Sequence, residues 1–345
     1  MGSSLIAMAN ESLTSCQDLP MPVNTVPYRP DIKTSIVTVF TCVFIGLACP
    51  CAIVANLMVF LGVLRKPDLR NVYNTSILFL ATSDLLAGLI TLPSFVVYQG
   101  SKLTTPQHEF SCIALVMYTY TNFVFTGLSA ITIILITMER YLAIFHPFRY
   151  QAYMTKRRIA VTISLVWVLW ISFISLARFS PGASVGLYSV IAAVLLIPCI
   201  LLTLFVYCKV CFLTRRVRAS IGHGPTAPRN AEDIQETRSS RTVAYLAGAV
   251  VLCFLPTLIV AAVYQTGKVD KNYFYHLMYP LSDLAALMTP VFDPMIYVLR
   301  SSQIRSSLRE VSHGRVAISR PPNRVRAQTG PTASTGLEIE MTAQT

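Results

Sequence analysis

Residues 112–141 read CIALVMYTYTNFVFTGLSAITIILITMERY, and no charged side chain interrupts the stretch until Glu139 and Arg140 close it. A helix needs about 20 predominantly apolar residues to cross the hydrocarbon core of a bilayer, and this run exceeds that. Six further runs do the same. Together they predict helices 1 to 7 over residues 36–64, 74–98, 112–138, 159–178, 185–213, 242–264 and 274–299. None shows the alternation of a membrane barrel strand. Backbone groups in lipid must be satisfied inside the element, so each run is read as a helix. The expected fold class is an all-α membrane protein, a seven-transmembrane helix bundle with a short amphipathic helix after helix 7.

Composition agrees. Of 345 residues, 54% are hydrophobic and 13% charged, about half the usual charged share, and mean hydropathy is +0.57. So few charges cannot clothe a soluble fold of this size. The net charge of +12 does not point to nucleic acid, because the basic residues lie between apolar runs rather than on one soluble module. Residues 1–30 hold no apolar core behind a basic head, so no secretory signal is expected. Arg29, Lys33, Lys102, Arg178, Lys268 and Lys271 fall to one side of the seven spans, and all the other Lys and Arg to the other. Basic loops stay in the cytosol. The chain is therefore expected to be multi-pass in the plasma membrane, N-terminus extracellular and C-terminus cytosolic. The expected divisions are an extracellular tail 1–35, the bundle 36–299, an amphipathic juxtamembrane helix 300–312 facing acidic lipid, and a disordered cytosolic tail 313–345. The inner loop 214–241 is expected to be mobile. Asn10 opens a glycosylation sequon in the outer tail.

Ionisable groups at membrane depth are costly unless paired or hydrated. Here they are Asp84 on helix 2, Asp283 and Asp293 on helix 7, and Glu139 and Arg140 at the inner end of helix 3. Two neighbouring carboxyls cannot both ionise cheaply without a cation or a shared proton between them. Pro93, Pro198, Pro256 and Pro294 each remove a helical hydrogen bond and favour a kink. No nucleophile–base pair or metal cluster appears, so no enzyme activity and no cofactor is expected, an allosteric Na+ aside.

The motifs fall in a recognisable order: Asn56 on helix 1, Leu80-Ala81-Thr82-Ser83-Asp84 on helix 2, Glu139-Arg140-Tyr141 ending helix 3, Trp167 on helix 4, Cys253-Phe254-Leu255-Pro256 on helix 6 and Asp293-Pro294-Met295-Ile296-Tyr297 on helix 7. In this the chain resembles the class A, or rhodopsin-like, G protein-coupled receptors. The resemblance covers about residues 36–310 and implies an extracellular ligand, a heterotrimeric G protein as partner, and arrestin and receptor kinases acting on the Ser-rich tail. It implies a switch in which Arg140 bridges to Glu236 at rest and is freed when helix 6 moves. Phe254 stands where the family has Trp, either as a rotamer sensor or as packing. Tyr207 and Tyr297 resemble the two inner tyrosines that meet in the active form. Ser129, with Asp84 and Asp293, matches the family's sodium site, for which the residues alone allow an ion-free polar network.

Departures matter too. The second outer loop, 179–186, has no Cys, so the usual disulfide from helix 3 is absent, and a Cys16–Cys112 bridge is one alternative. The short cysteine-free loop and the DPxxY-containing end resemble the melanocortin and adenosine branch. Aminergic members carry an Asp where this chain has Asn122, and opsins a Lys where it has Leu287, which argues against a simple amine and against retinal. Asp283 lies about 16 Å above Pro294 along helix 7. It is expected either to meet a cationic group on the ligand or to pair internally with Arg178 or Lys268. Asn122, Tyr118, Thr126 and Tyr279 are expected in the same cavity, with Phe123 as an apolar wall. The ligand expected is a peptide or small polar molecule. The other readings are a constitutively active or non-signalling seven-helix receptor, or a transporter or channel.

Overall fold

The computed structural model describes residues 26, 28–65, 71–104, 111–179, 190, 193–194, 196–209, 212 and 231–300, and the side chains within these except 231–247, 250 and 297–300. The described residues form no strand. Helix 1 is Ile32–Arg65, helix 2 Val72–Thr104, helix 3 Cys112–Phe145 and helix 4 Lys156–Phe179. Helix 5 is described over Leu196–Lys209, helix 6 is Ala231–Thr266, and helix 7 runs in segments from Lys271 to Arg300. A short helix, Pro147–Tyr153, follows helix 3.

Most of these helices outrun their apolar stretches. Once nucleated, a helix gains one hydrogen bond per added residue, so polar flanks continue it until a breaker or a cap intervenes. Helix 2 reaches Thr104 and thereby takes in Lys102, which the hydropathy reading had put in an outer loop. Helix 6 starts at Ala231, so the end of the expected inner loop 214–241 is helical. Starts are set locally: the Asn71 side chain accepts from the Asn74 amide at 2.8 Å, and Ser111 accepts from Ala114 at 3.3 Å, each capping an otherwise orphaned donor.

Prolines shape the bundle in two ways. Helix 2 contains a wide π turn, Ala87–Thr91, just before Pro93. Helix 7 contains another, Phe274–Met278, just before Pro280. Such turns carry one extra residue and relieve the crowding and lost bond that a proline imposes. In helix 1, where the sequence reading missed Pro50, and in helix 6 at Pro256, the proline lies inside an unbroken helix.

Packing follows the lipid solvent. Helix 1 turns Ile36, Phe40, Val43 and Leu47 outward, and helix 4 Leu165, Leu169 and Leu176. The interior joins Val59, Ile77, Leu80, Ile133, Ile136, Cys199, Phe254 and Ala286 from six helices. On helix 1 the buried threonines are satisfied at home: Thr38 donates to Thr34 O and Thr41 to Val37 O, both at 2.8 Å. Helix 4 meets helix 3 through its two tryptophans. Trp167 Nε1 donates to Thr132 Oγ1 at 3.0 Å. The Trp170 indole packs directly against Gly127 and donates to the backbone oxygens of Phe123 and Val124.

A Cβ at Gly127 would overlap the Trp170 ring system. Gly127→Ala is expected to destabilise the purified protein by about 1–3 kcal/mol, the usual cost of overpacking, read as a fall in its thermal midpoint. Pairing it with Trp170→Leu should restore much of the loss.

Candidate functional site

At the inner end of helix 3, Glu139 is buried and accepts two donors on one oxygen. These are Arg140 Nη2 at 2.8 Å and the Tyr150 hydroxyl, from the short loop helix, at 2.9 Å. Burial, reinforced by the Glu139 carboxylate, pushes the Tyr150 phenol up to about 12, so it remains a donor throughout the physiological range. The Arg140 guanidinium also lies over the Tyr73 ring of helix 2, 3.9 Å from its centre, a cation–π contact. Arg140 is thus held by its neighbour in sequence and by helix 2. Glu236 lies on helix 6, with its side chain outside the described ones, as is that of Tyr297. Tyr141 and Tyr207 share a small apolar cluster with Val206 that joins helices 3 and 5.

In the middle of the bundle, Ser129 donates to Asp84 Oδ1 at 2.8 Å, and the Asp293 carboxyl neighbours that of Asp84. Asp84 Oδ2 and Asp293 Oδ2 are buried with no protein donor. Pro294 lacks an N–H, so the carbonyl of Pro290, one turn back, loses its helical donor. Asn56 Nδ2 supplies it from helix 1 at 2.7 Å. A cavity of about 10 Å³, room for one water-sized particle, is lined by Asp84 and Ser129 below and by Asn122 and Thr126 above. Phe254, fully buried, forms part of its wall. The expected cation pocket and the expected ligand-facing stretch of helix 3 therefore border one space. Orphaned carboxylate oxygens beside a hydroxyl are a donor set that fits a small hard cation.

In the outer half, Asp283 is buried and accepts a hydrogen bond from the Tyr118 hydroxyl. Tyr118 is stacked on Tyr98 at 5.9 Å and set edge-on to Phe95 at 5.0 Å. Arg178 donates to Thr119 Oγ1 at 2.8 Å, and Lys268 is exposed, so the structure shows Asp283 with Tyr118 rather than with either of those cations. Thr126 donates to Asn122 Oδ1 at 3.0 Å. Tyr279 lies close to Arg178 and Tyr98. Phe123, expected as a cavity wall, packs with Trp167, Trp170 and Ile174 in the cluster between helices 3 and 4, while Phe125 lines the cavity. Cys112 is disulfide-bonded. Cys16 and Asn10 lie outside the described residues.

The chain has relatives among known proteins. The profile of the 7 transmembrane receptor (rhodopsin family) matches residues 55–183. The human histamine H2 receptor (Homo sapiens) is 28% identical over 289 residues, 77% of each chain. Adenosine receptor A3 of sheep (Ovis aries) is 26% identical over 312 residues, 83% of this chain and 92% of that one. Adenosine receptor A2a of dog (Canis lupus familiaris) is 25% identical over 306 residues, 79% of this chain. The chain is similar to the rhodopsin-like G protein-coupled receptors along most of its length. It is a ligand-binding, multi-pass membrane receptor that signals through heterotrimeric G proteins, and the receptors it resembles are non-enzymes.

The sequence reading of this receptor missed Lys102. Its signal was present: Phe95, Tyr98, Gln99 and Lys102 recur at helical spacing on one face, and all four are buried. The Asp283–Tyr118 bond crosses between helices 7 and 3. Tyr118→Phe is expected to cost about 1–3 kcal/mol of stability by stripping a donor from a buried carboxyl. In an Asp283→Asn background the same change should cost much less, and a thermal-midpoint double-mutant cycle reads the difference.

Proposed function

We propose that the receptor sits in the plasma membrane with its N-terminus outside and converts binding of an extracellular peptide or small polar molecule into G protein activation through movement of helix 6. The observation that carries this reading is the state of Arg140. A guanidinium stands at the inner end of helix 3, ion-paired with the buried Glu139 carboxylate and lying over the Tyr73 ring, while its own side chain stays about 20% exposed. That exposed face leaves the guanidinium within reach of an incoming cytoplasmic partner. Glu236, on helix 6, is the proposed second partner at rest. Tyr141, Tyr207, Tyr297, Phe254, Pro256 and Pro294 are the proposed moving parts around it. The proline-bearing helices 6 and 7 supply two packings of similar energy, as a switch requires.

The ligand is proposed to reach the space bordered by Asn122 and Thr126, with Tyr118, Tyr279 and Asp283 above it and a cationic group directed at Asp283. The histamine H2 and adenosine receptors bind what their names state. For this chain Asn122, in place of the aminergic Asp, argues against a simple amine. Asp84, Ser129 and Asp293 are proposed to hold Na+. The ion would supply positive charge between two carboxyls, and the residues' own part is to orient three oxygens toward one point. The Ser-rich tail is proposed as the substrate of receptor kinases and the arrestin contact.

Membranes carrying the receptor should accelerate nucleotide exchange on an added G protein panel. Arg140→Ala should reduce that rate about tenfold or more, within the 1–3 kcal/mol scale of site-to-site coupling, and Glu236→Gln should raise basal exchange. A wild-type receptor that activates no G protein, with or without ligand libraries, refutes the signalling reading. For the ion, the thermal midpoint should rise with NaCl but not with choline chloride, following ligand stabilisation of the folded state, and Asp84→Asn should abolish the difference.

A further inference from the structure

The segment preceding helix 1 is tied to the start of helix 7. His276 Nε2 and the Val26 carbonyl oxygen are 3.0 Å apart. The Arg29 amide donates to Asn272 Oδ1 at 3.1 Å, and Asn272 Nδ2 donates back to Arg29 O at 3.2 Å. The Tyr273 hydroxyl donates to Asp31 at 3.3 Å. Tyr28 is buried, its ring edge-on to the His276 ring at 5.2 Å. His276 is itself buried, and its other nitrogen, Nδ1, lies 3.2 Å from Lys102 Nζ. Lys102 also donates to Gln99 Oε1 at 2.8 Å and lies over the Tyr98 ring at 4.0 Å.

The hydrogen count here is constrained. A carbonyl can only accept, so Nε2 carries a hydrogen. The Nδ1–Nζ contact then needs one donor and one acceptor. His276 and Lys102 together therefore hold one excess proton, whichever nitrogen carries it. A second would set N–H against N–H, two cations 3.2 Å apart and out of water.

We propose that His276 and Lys102 form a proton-sensitive latch that pins Val26 and residues 28–31 to helix 7 and lets them go when the pair takes up a second proton. The other titratable and charged groups of the described residues around it leave this account intact. Helix 2 presents Tyr98, and the approach to helix 1 presents Tyr28, with Arg29, Asp31 and Lys33 exposed. Helix 6 presents Tyr264 against Phe274 rather than against His276. On helix 7 itself, Asp283 lies about two turns further along and is bonded to Tyr118. Tyr279 is one turn nearer, and Asp270 and Lys271 are exposed at the start.

The direction follows from linkage. The latched pair does not accommodate the second proton, whereas a released and hydrated imidazole takes it up near its ordinary value of about 6.5. Falling pH therefore favours release, and between pH 7.5 and 5.5 the release constant should rise about tenfold. With the N-terminus outside, as proposed above, acidification of the cell exterior would open the latch over the outer ends of helices 2 and 7.

Hydrogen–deuterium exchange at the Arg29 amide of the full receptor in nanodiscs tests this without ligand, G protein or orientation. Labelling times are scaled for the intrinsic pH dependence of exchange. Wild type should exchange about tenfold faster at pH 5.5 than at 7.5. His276→Gln keeps an N–H for Val26 and an oxygen for Lys102 but cannot titrate, so its exchange should not depend on pH. Lys102→Met removes the opposing nitrogen and should respond less than wild type. Equal scaled exchange at the two pH values in wild type overturns the latch, as does a full response in His276→Gln or in Lys102→Met. If neither variant folds, the wild-type comparison decides alone. A failed latch leaves the nucleotide-exchange result untouched.

Discussion

An ionisable or hydrogen-bonding group inside a bilayer has little water to turn to. That constraint decides where this receptor places its polar side chains. In the described part of the bundle, Asp84, Asp283, Glu139, Lys102 and Arg178 are buried, and each has a hydroxyl, amide, imidazole or guanidinium from elsewhere in the fold within bonding distance. Several of these contacts cross between helices. The polar groups thus fix how helices 2, 3, 4 and 7 stand against one another in a medium where apolar surface alone gives little preference between partners. Two of the buried polar atoms left without a protein partner are informative. The orphaned oxygens of Asp84 and Asp293 lie in the mid-bundle region that contains the internal cavity, where a particle too small to be called a ligand could complete them.

The helix 7 backbone shows the same rule for main-chain groups. Pro294 frees a carbonyl, and Asn56 reaches across from helix 1 to occupy it. The Cys49 thiol does similar work at Gly88 O, in the wide turn of helix 2, at 3.3 Å. A proline in a membrane helix is tolerable because a neighbour's side chain can repair the ladder. The repair leaves a joint between segments that are each rigid.

Much of this was legible in the sequence. Uninterrupted apolar runs reveal the spans because a lone helix of that length satisfies its own backbone in lipid, and the positions of Asp84, Glu139 and Arg140 stand out because charges there are rare. What hydropathy could not show is where a helix stops. Lys102 was read as loop because it is charged, yet its stem and ammonium fit beside Tyr98 and Gln99 inside the helix. Phe123 and Phe125 are indistinguishable by type, and Phe123 packs toward helix 4 because it sits one helical turn from Gly127, where Trp170 docks. The tie between Val26 and residues 28–31 and helix 7 spans most of the chain's length in sequence separation, and no local pattern announces a contact of that range.

The wide turns in helices 2 and 7 have a consequence for comparative work. Each inserts one residue into a span, which rotates everything on its outer side by about 100° relative to an unbroken helix. A relative without the insertion would need a one-position gap inside the membrane to be aligned correctly. Copied across without that gap, pocket assignments beyond Thr91 or ahead of Phe274 would name residues on the wrong azimuth, so comparisons of ligand preference should be made on superposed backbones rather than on columns of letters.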